Sequence, residues 1–184
     1  MSQFPVQSLE TAPEASRATL EAAQKNYGFL PNLLGVMATS PALVEGYATL
    51  AGIFGKTSFS PTEQQVVLLA TSGLNGCTYC MAAHSVIANM SKVPADVIEA
   101  LRENRPLADA KLEALRQVTL AVVESRGWPS EEAVQSFYSA GYGPQQLLEV
   151  VLGVGLKTLS NYTNHVAQTP LDPAFQSAEW QTAS

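Results

Sequence analysis

The sequence predicts an all-α fold in a single compact domain. Proline and glycine stand at the borders of segments, apolar residues recur at spacings of three and four within them, and few stretches alternate as a strand would. A chain of 184 residues can bury most of its apolar surface without disulfides or metals, and no repeat or long linker divides it. We therefore expect one domain over residues 1–184, with a core at about 11–168 and an irregular tail after Thr169.

The helix borders follow from start and stop signals. Ser60 and Glu63 have the spacing of a capping box, and Thr11, Pro13 and Glu14 predict a start of the same kind. Proline, serine or aspartate leads most of the later segments. The predicted helices cover residues 14–27, 31–37, 41–54, 64–73, 77–90, 94–103, 108–125, 130–140 and 144–164.

The composition indicates an oligomer and excludes some classes of partner. Hydrophobic residues make up 46% of the chain and charged residues only 14%, which suggests apolar surface covered between subunits. The net charge of −6 leaves no basic stripe for a phosphate backbone. We therefore expect neither a nucleic acid nor an anionic membrane as partner.

The N-terminal segment has no feature of a targeting signal. Met1 to Leu9 has neither a positive start nor a long apolar core. No stretch of the chain reaches the roughly eighteen apolar residues that a spanning helix needs. We expect a cytoplasmic protein, and in a reducing cytosol a Cys-x-x-Cys pair is expected to be redox-active or metal-binding.

Three reactive side chains cluster at Cys77, Cys80 and His84. The chain has only two cysteines and two histidines, so this cluster holds most of them. On a helix that starts near Cys77, the three side chains share an arc of roughly 60°. The spacing predicts one face of a helix that carries sulfur chemistry.

The expected chemistry is that of a thiolate. A cysteine in the first turn of a helix feels the partial positive charge there, and the thiolate is the nucleophilic form. His84 can accept a proton from a thiol or pass one to a leaving oxygen. Two thiols three residues apart can also close into a disulfide after one has been oxidised to a sulfenic acid.

Other interpretations of these residues remain open from the sequence alone. The cysteines and His84 could simply pack in a helical core. With His165 they could also supply four zinc ligands, although nothing in the sequence brings His165 near. His165 could otherwise favour a helix C-terminus, or support the site across a subunit boundary. Gly153 is interpreted as allowing close helix packing, because no dinucleotide fingerprint surrounds it.

The wider sequence context resembles a known family. The run from Phe59 to Leu69 and the run from Asn75 to His84 resemble the AhpD-like alkylhydroperoxidases of the carboxymuconolactone decarboxylase family. The resemblance extends upstream through 28–33 and 40–43, which look like the peroxidase-related branch, and so covers most of the chain. It implies an all-helical fold assembled as homotrimers or homohexamers.

The resemblance also implies an activity and roles for the clustered residues. It implies a thiol peroxidase that reduces hydroperoxides with electrons from a dithiol donor, such as a lipoylated protein, and that needs no bound cofactor beyond a redox-active disulfide. Cys80 matches the peroxide-attacking cysteine, Cys77 the resolving cysteine and His84 the histidine of the proton relay. The helix-terminus argument alone would instead favour Cys77 as the more acidic thiol.

Two positions depart from the family pattern. Gln65 stands where the peroxidases carry the relay glutamate, and an amide cannot take a proton. Tyr79 stands where the family has a further histidine. Glu63 is close in sequence to Gln65 but lies about 200° around the helix, so we interpret it as the partner of the Ser60 cap. We expect Gln65 to orient His84 through its amide oxygen.

The predicted function is a thiol-dependent peroxidase acting on organic hydroperoxides or hydrogen peroxide. The Gln65 position favours weak peroxidase activity, because losing an essential general base costs about two to four powers of ten in rate. One alternative is a dithiol/disulfide oxidoreductase that uses the same cysteines without peroxide chemistry. Another is a non-catalytic, redox-sensing oligomer whose disulfide changes subunit packing.

Overall fold

The computed structural model describes residues 4–181, which form nine α-helices and a C-terminal 3-10 helix, with no strand among them. The all-α prediction is confirmed. The expectations for the Met1 segment and for a domain over 1–184 reach residues 1–3 and 182–184, which lie outside the described residues. The helices are α1 Glu14–Tyr27, α2 Asn32–Met37, α3 Pro41–Phe54, α4 Pro61–Leu74, α5 Thr78–Met90, α6 Ala95–Arg102, α7 Ala110–Glu124, α8 Glu131–Ser139 and α9 Pro144–Ala167.

The predicted capping box of α4 is confirmed. Glu63 N donates to Ser60 Oγ at 3.3 Å, and Ser60 N donates to Glu63 Oε2 at 2.8 Å. The capping box predicted for α1 is wrong. Pro13 occupies the N-cap position without a side-chain cap bond, because the Thr11 hydroxyl instead accepts a hydrogen bond from Ser8 N in the preceding turn.

Helix α4 lies at the centre of the core and packs against α5, α7 and α9. The 24-residue α9 approaches α3 and α4 closely at Gly153. A Cβ atom at this position would lie 2.7 Å from carbon atoms of both Phe54 and Val67, so only glycine fits. The predicted close packing at Gly153 is confirmed, and it brings the middle of α9 against the end of α3 and the middle of α4.

The C-terminal tail is more ordered than the sequence predicts. Instead of an irregular tail, Pro173–Ala178 form a 3-10 helix that packs on α5. Phe175 is buried, and its ring meets those of Tyr79 and Phe29 edge-on at centroid distances of 6.0 and 5.7 Å. Aromatic burial therefore stabilises a segment whose local sequence carries no strong helix signal.

The long helix α9 has both a buried and an exposed apolar side. Leu148, Val151, Tyr162 and Val166 are at least half exposed, and their spacing places them on one stripe. Within residues 4–181, no helix combines the length and the apolar character needed to cross a bilayer.

Candidate active site

A tight turn places the two cysteines at the start of α5. Gly76 has a φ of +65°, in the left-handed region that glycine adopts at little cost, and it allows the chain to reverse after α4. Cys77 follows as the N-cap of α5, and its N–H donates to Ser72 O at 2.9 Å. Cys77 and Cys80 are free thiols, 1% and 2% exposed.

Helix α9 presents hydrogen-bonding side chains to the sulfurs. Asn164 Nδ2 lies 3.3 Å from Cys80 Sγ and 3.7 Å from Cys77 Sγ. Ser160, one turn earlier, has its hydroxyl 3.7 Å from Cys80 Sγ. Cys80 therefore receives more polar contacts from α9 than Cys77 does.

Lys157 adds a positive charge to this face of α9. Its side chain is 0% exposed, and Nζ has no hydrogen-bond partner within residues 4–181. Lys157, Ser160 and Asn164 stand at i, i+3 and i+7, so they follow one line along the helix. The lysine charge is thus held inside the protein beside the Cys80 thiol.

These surroundings separate the two thiols in acidity. A hydrogen bond with Cys77 lowers the pKa of Cys80 well below its usual value, and the charge of Lys157 acts in the same direction although burial opposes it. The same hydrogen bond and burial raise the pKa of Cys77. The arrangement favours a Cys80 thiolate that accepts a hydrogen bond from the Cys77 thiol, against the simple helix-terminus argument.

His84 lies one turn after Cys80 and contacts Gln65 of α4. His84 Nδ1 and Gln65 Oε1 are 3.1 Å apart, the contact expected from the sequence. An amide oxygen only accepts, so Nδ1 carries the hydrogen and Nε2 keeps a free lone pair. Burial and the Lys157 charge lower the pKa of His84 well below its usual value, which favours the neutral imidazole. No hydrogen bond joins His84 to either sulfur within the described residues.

Cys80, His84 and Lys157 line one cavity of about 200 Å³. A wider cleft of about 620 Å³ between α1 and α3 shares part of its lining with this cavity. Four residues line both the cavity and the cleft: Tyr27, Leu34, Tyr47 and Ala51. Most of the remaining cavity wall is apolar, with Leu33, Phe54, Leu68, Leu156 and Phe175 among its residues.

The Tyr79 hydroxyl contacts the start of α2 and the C-terminal tail rather than the sulfurs. Its hydroxyl donates to the Asp172 carboxylate and accepts from Leu33 N at 3.3 Å. Asp172 is 2% exposed and also accepts from Asn32 N at 3.1 Å. Tyr79 thus joins α5 to the start of α2 and to the tail, while one side of its ring borders the cavity.

Glu63 and His165 both lie away from the cavity wall. Besides its cap bond, Glu63 accepts a hydrogen bond of 2.8 Å from the Tyr142 hydroxyl. His165 is exposed near the end of α9, where its ring stacks on Tyr162 at 6.4 Å. The zinc alternative lacks its fourth ligand in this chain, and residues 4–181 contain no group of three His, Cys, Asp or Glu suited to a metal ion.

Sequence reasoning missed the contribution of α9. It considered His165, whereas the neighbouring Asn164 faces the sulfurs together with Ser160 and Lys157. A signal was present, because polar residues spaced three and four apart interrupt an otherwise apolar helix. That pattern reveals a buried polar face, but it does not say which part of the fold the face meets.

Solved structures with the same fold cover nearly the whole chain. The AhpD core of an uncharacterized peroxidase-related protein from Ralstonia eutropha JMP134 has a TM-score of 0.82 at 19% identity, over 95% of this chain and 94% of its own. The debrominase Bmp8 in complex with 2,3,4-tribromopyrrole has a TM-score of 0.80 at 19% identity, over 97% of each chain. A peroxidase-related protein from Silicibacter sp. TM1040 has a TM-score of 0.79 at 17% identity, over 94% of this chain and 92% of its own.

The family comparison concerns the part of the chain that holds the site. The model of the carboxymuconolactone decarboxylase family matches residues 41–133, about half of the chain, from α3 to the start of α8. No curated protein matches the sequence significantly. The matched region includes both cysteines, His84 and Gln65. The chain therefore belongs to the carboxymuconolactone decarboxylase family and has its AhpD-like helical fold.

Proposed function

We propose that this protein is a thiol peroxidase that reduces compact, largely apolar hydroperoxides. The observation that carries the proposal is the environment of Cys80, a cavity-lining sulfur that contacts Asn164 and lies beside the Lys157 charge and the Cys77 thiol. A stabilised thiolate next to a second thiol is what reduction of a peroxide and resolution of the product require. The apolar wall favours an organic substrate.

In the first step the Cys80 thiolate attacks the terminal oxygen of the hydroperoxide. An S–O bond forms and the O–O bond breaks, so sulfur is oxidised and the peroxide is reduced. His84 Nε2 takes the proton of the hydroperoxide and passes it to the departing oxygen, which leaves as the alcohol. The product on the protein is a Cys80 sulfenate, whose negative charge remains beside Lys157.

In the second step the Cys77 sulfur attacks the sulfur of the sulfenate. The S–S bond forms, the S–O bond breaks, and the oxygen leaves with the Cys77 proton as hydroxide. A dithiol donor then reduces the disulfide by thiol exchange and returns both thiols. The overall reaction converts a hydroperoxide and a dithiol into an alcohol, water and an oxidised donor, without a bound cofactor.

The test is rapid mixing of the reduced protein with cumene hydroperoxide and hydrogen peroxide, followed by thiol counting. We expect the loss of two thiols in the parent, no reaction in Cys80→Ser, and a trapped Cys80 sulfenate in Cys77→Ser. His84→Ala is expected to slow the first step by about two powers of ten. An exposed histidine offers a matched control, and His165→Ala should react as the parent does.

Failure of the peroxide reaction would favour a different use of the same cysteines. If peroxides leave both thiols intact while oxidised dithiols still convert them to a disulfide, the protein is a dithiol/disulfide oxidoreductase. Gln65 would then explain the difference, because the relay carboxylate is missing beside His84. Equal reaction rates for the parent and Cys80→Ser would contradict both functions.

A second candidate is reductive dehalogenation. The cavity lining contains no Asp or Glu and is mostly apolar, and the debrominase Bmp8 shares the fold over 97% of each chain. Cys80 would take bromine from the substrate carbon, a proton would replace it there, and Cys77 would release bromide as the disulfide forms. Bromide release from brominated pyrroles, matched by loss of two thiols, tests this candidate, and no release would reject it.

A further inference from the structure

Lys157 is a buried charge without a carboxylate partner. Its side chain lines the Cys80 cavity, and Nζ has no hydrogen-bond partner within residues 4–181. The ion pairs of those residues join Glu63, Glu103 and Glu113 to other cations. A buried ammonium is strongly unfavourable unless an anion lies near it, and the acidic group beside Lys157 is the Cys80 thiol.

In the reduced protein the Cys80 thiolate is that anion. The charge of Lys157 and the Cys77 hydrogen bond both favour ionisation of Cys80. His84 is neutral, because burial and Lys157 lower its pKa. The Tyr47 and Tyr79 hydroxyls are neutral too, since burial raises the pKa of each phenol. Thiolate and ammonium therefore balance each other in the reduced site.

Formation of the disulfide removes the balancing charge. This step rests on the proposed dithiol cycle, in which the negative charge passes from the thiolate to the sulfenate oxygen and leaves with hydroxide. The disulfide itself carries no charge. Lys157 then faces the cavity without a counter-charge from the protein.

We propose that the oxidised site binds a small monovalent anion of the halide class at Lys157 Nζ. The cavity of about 200 Å³ has room for such an ion beside the lysine. A monovalent ion restores neutrality, whereas a divalent one would leave an excess charge in an apolar site. Weakly hydrated anions such as bromide lose least on entering it.

Anion binding to the oxidised form alone couples the redox equilibrium to anion concentration. A ligand that binds one state stabilises that state by mass action. Bromide should therefore favour the disulfide over the dithiol. In its absence, the unbalanced Lys157 charge should make the disulfide easier to reduce.

The experiment is a redox titration of the full chain in dithiothreitol buffers, with sodium gluconate replaced by sodium bromide at constant ionic strength. For a dissociation constant on the order of 0.1 M, about 0.3 M bromide should favour the disulfide roughly fourfold. In gluconate, Lys157→Met should favour the disulfide about tenfold, which is about 30 mV for a two-electron couple, and should remove the bromide effect. The control Lys25→Met removes an exposed lysine and should follow the parent.

Two outcomes overturn the inference: a parental equilibrium that is equal in gluconate and bromide, or a Lys157→Met variant that still responds to bromide as the parent does. The first needs no variant, so it stands whether or not Lys157→Met folds. Peroxide turnover does not enter the measurement. If the protein does not react with peroxides but its disulfide equilibrium depends on bromide, this inference is supported and the peroxidase function is contradicted. If the protein turns over peroxides without a bromide effect, the peroxidase function is supported and this inference is contradicted.

Discussion

The acidity of the Cys80 thiol depends on residues on three sides of the sulfur. Cys77 precedes it in the turn, Asn164 reaches it from α9, and Lys157 supplies a charge that water cannot screen well in a buried site. The two cysteines are neighbours in sequence, yet their pKa values move in opposite directions. A Cys-x-x-Cys motif therefore does not by itself tell which sulfur is the nucleophile.

The first prediction concerns the pH dependence of the thiolate. Because the pKa of Cys80 is lowered, the parent should hold one thiolate at neutral pH and lose it only as the pH falls through that lowered value. Cys77→Ala removes a hydrogen bond and Lys157→Met removes a charge, so each should move the loss of thiolate to higher pH. Ultraviolet absorbance of the thiolate, with Cys80→Ser as the blank, measures this.

The thiolate titration has one control variant and two outcomes that would contradict the prediction. Lys25→Met changes an exposed charge of the same sign and should leave the curve in place. If Lys157→Met titrates at the parental pH, the lysine does not act on Cys80. If Cys80→Ser keeps the thiolate signal, the acidic thiol is Cys77.

The second prediction concerns the amide beside His84. In Gln65→Glu a carboxylate replaces the amide oxygen that lies 3.1 Å from His84 Nδ1. An opposite charge at this distance raises the pKa of a histidine, so Nε2 becomes a stronger base. We expect the pKa of His84 to rise and the reaction with hydroperoxide to speed up by about tenfold or more.

NMR titration of the His84 ring, together with rapid mixing, measures both effects. Gln24→Glu adds the same charge on the exposed side of α1 and should change neither. A raised pKa with an unchanged rate would mean that His84 does not carry the proton in the rate-limiting step. An unchanged pKa would mean that the contact with residue 65 does not determine the pKa of the His84 ring.

At the scale of elements, much of the fold could be predicted from the sequence. Helix α3 begins after Ser40 and ends at Phe54 as predicted, because serine, proline and glycine act locally on backbone geometry. The tail could not be predicted, because its 3-10 helix depends on Phe175 and Asp172 meeting Tyr79 from a distant part of the chain. The role of Lys157 could not be predicted for the same reason, because Lys157 is far along the chain from the cysteines that it lies beside.

The third prediction tests the close packing of α9. In Gly153→Ala the new methyl group would lie 2.7 Å from Phe54 and Val67, so the core must shift and unfolding should become easier by about 1–3 kcal/mol. Gly155 is the matched control in the same helix, because a Cβ there has no neighbour within 4 Å. Gly155→Ala should instead stabilise the helix by up to about 1 kcal/mol.

Urea unfolding at equilibrium measures both free energies. A Gly153→Ala variant as stable as Gly155→Ala would contradict the close approach of α9 to α3 and α4. A Gly153→Ala variant could also stay folded and yet show a changed pKa of Cys80 in the thiolate titration. It would show that a shift of α9 moves Asn164 and Lys157 relative to the sulfurs without loss of the fold.

At the scale of the whole molecule, the outer side of α9 exposes a stripe of apolar side chains. Leu148 and Val166 are each 71% exposed, although α9 is packed into the core along its other side. A groove of about 370 Å³ beside the last turns is lined by Val166, Tyr162 and Leu43 among others. An apolar stripe along a helix of this length is typical of an interface.

The fourth prediction is that the protein is a homo-oligomer held together along this stripe, as a trimer or hexamer. Leu148→Glu with Val151→Glu places two charges where a partner would bury them, so the mass measured by light scattering should fall toward that of the monomer. Gln135→Glu adds a charge on exposed α8 and should keep the parental mass. A parental mass equal to the monomer would reject the oligomer, and an unchanged mass in the double variant would place the interface elsewhere.

Helix α9 also carries Lys157 and Asn164 on its buried side, so the thiolate titration should be repeated on the variant that has lost the oligomer. A shifted titration would show that assembly helps to hold α9 against Cys80.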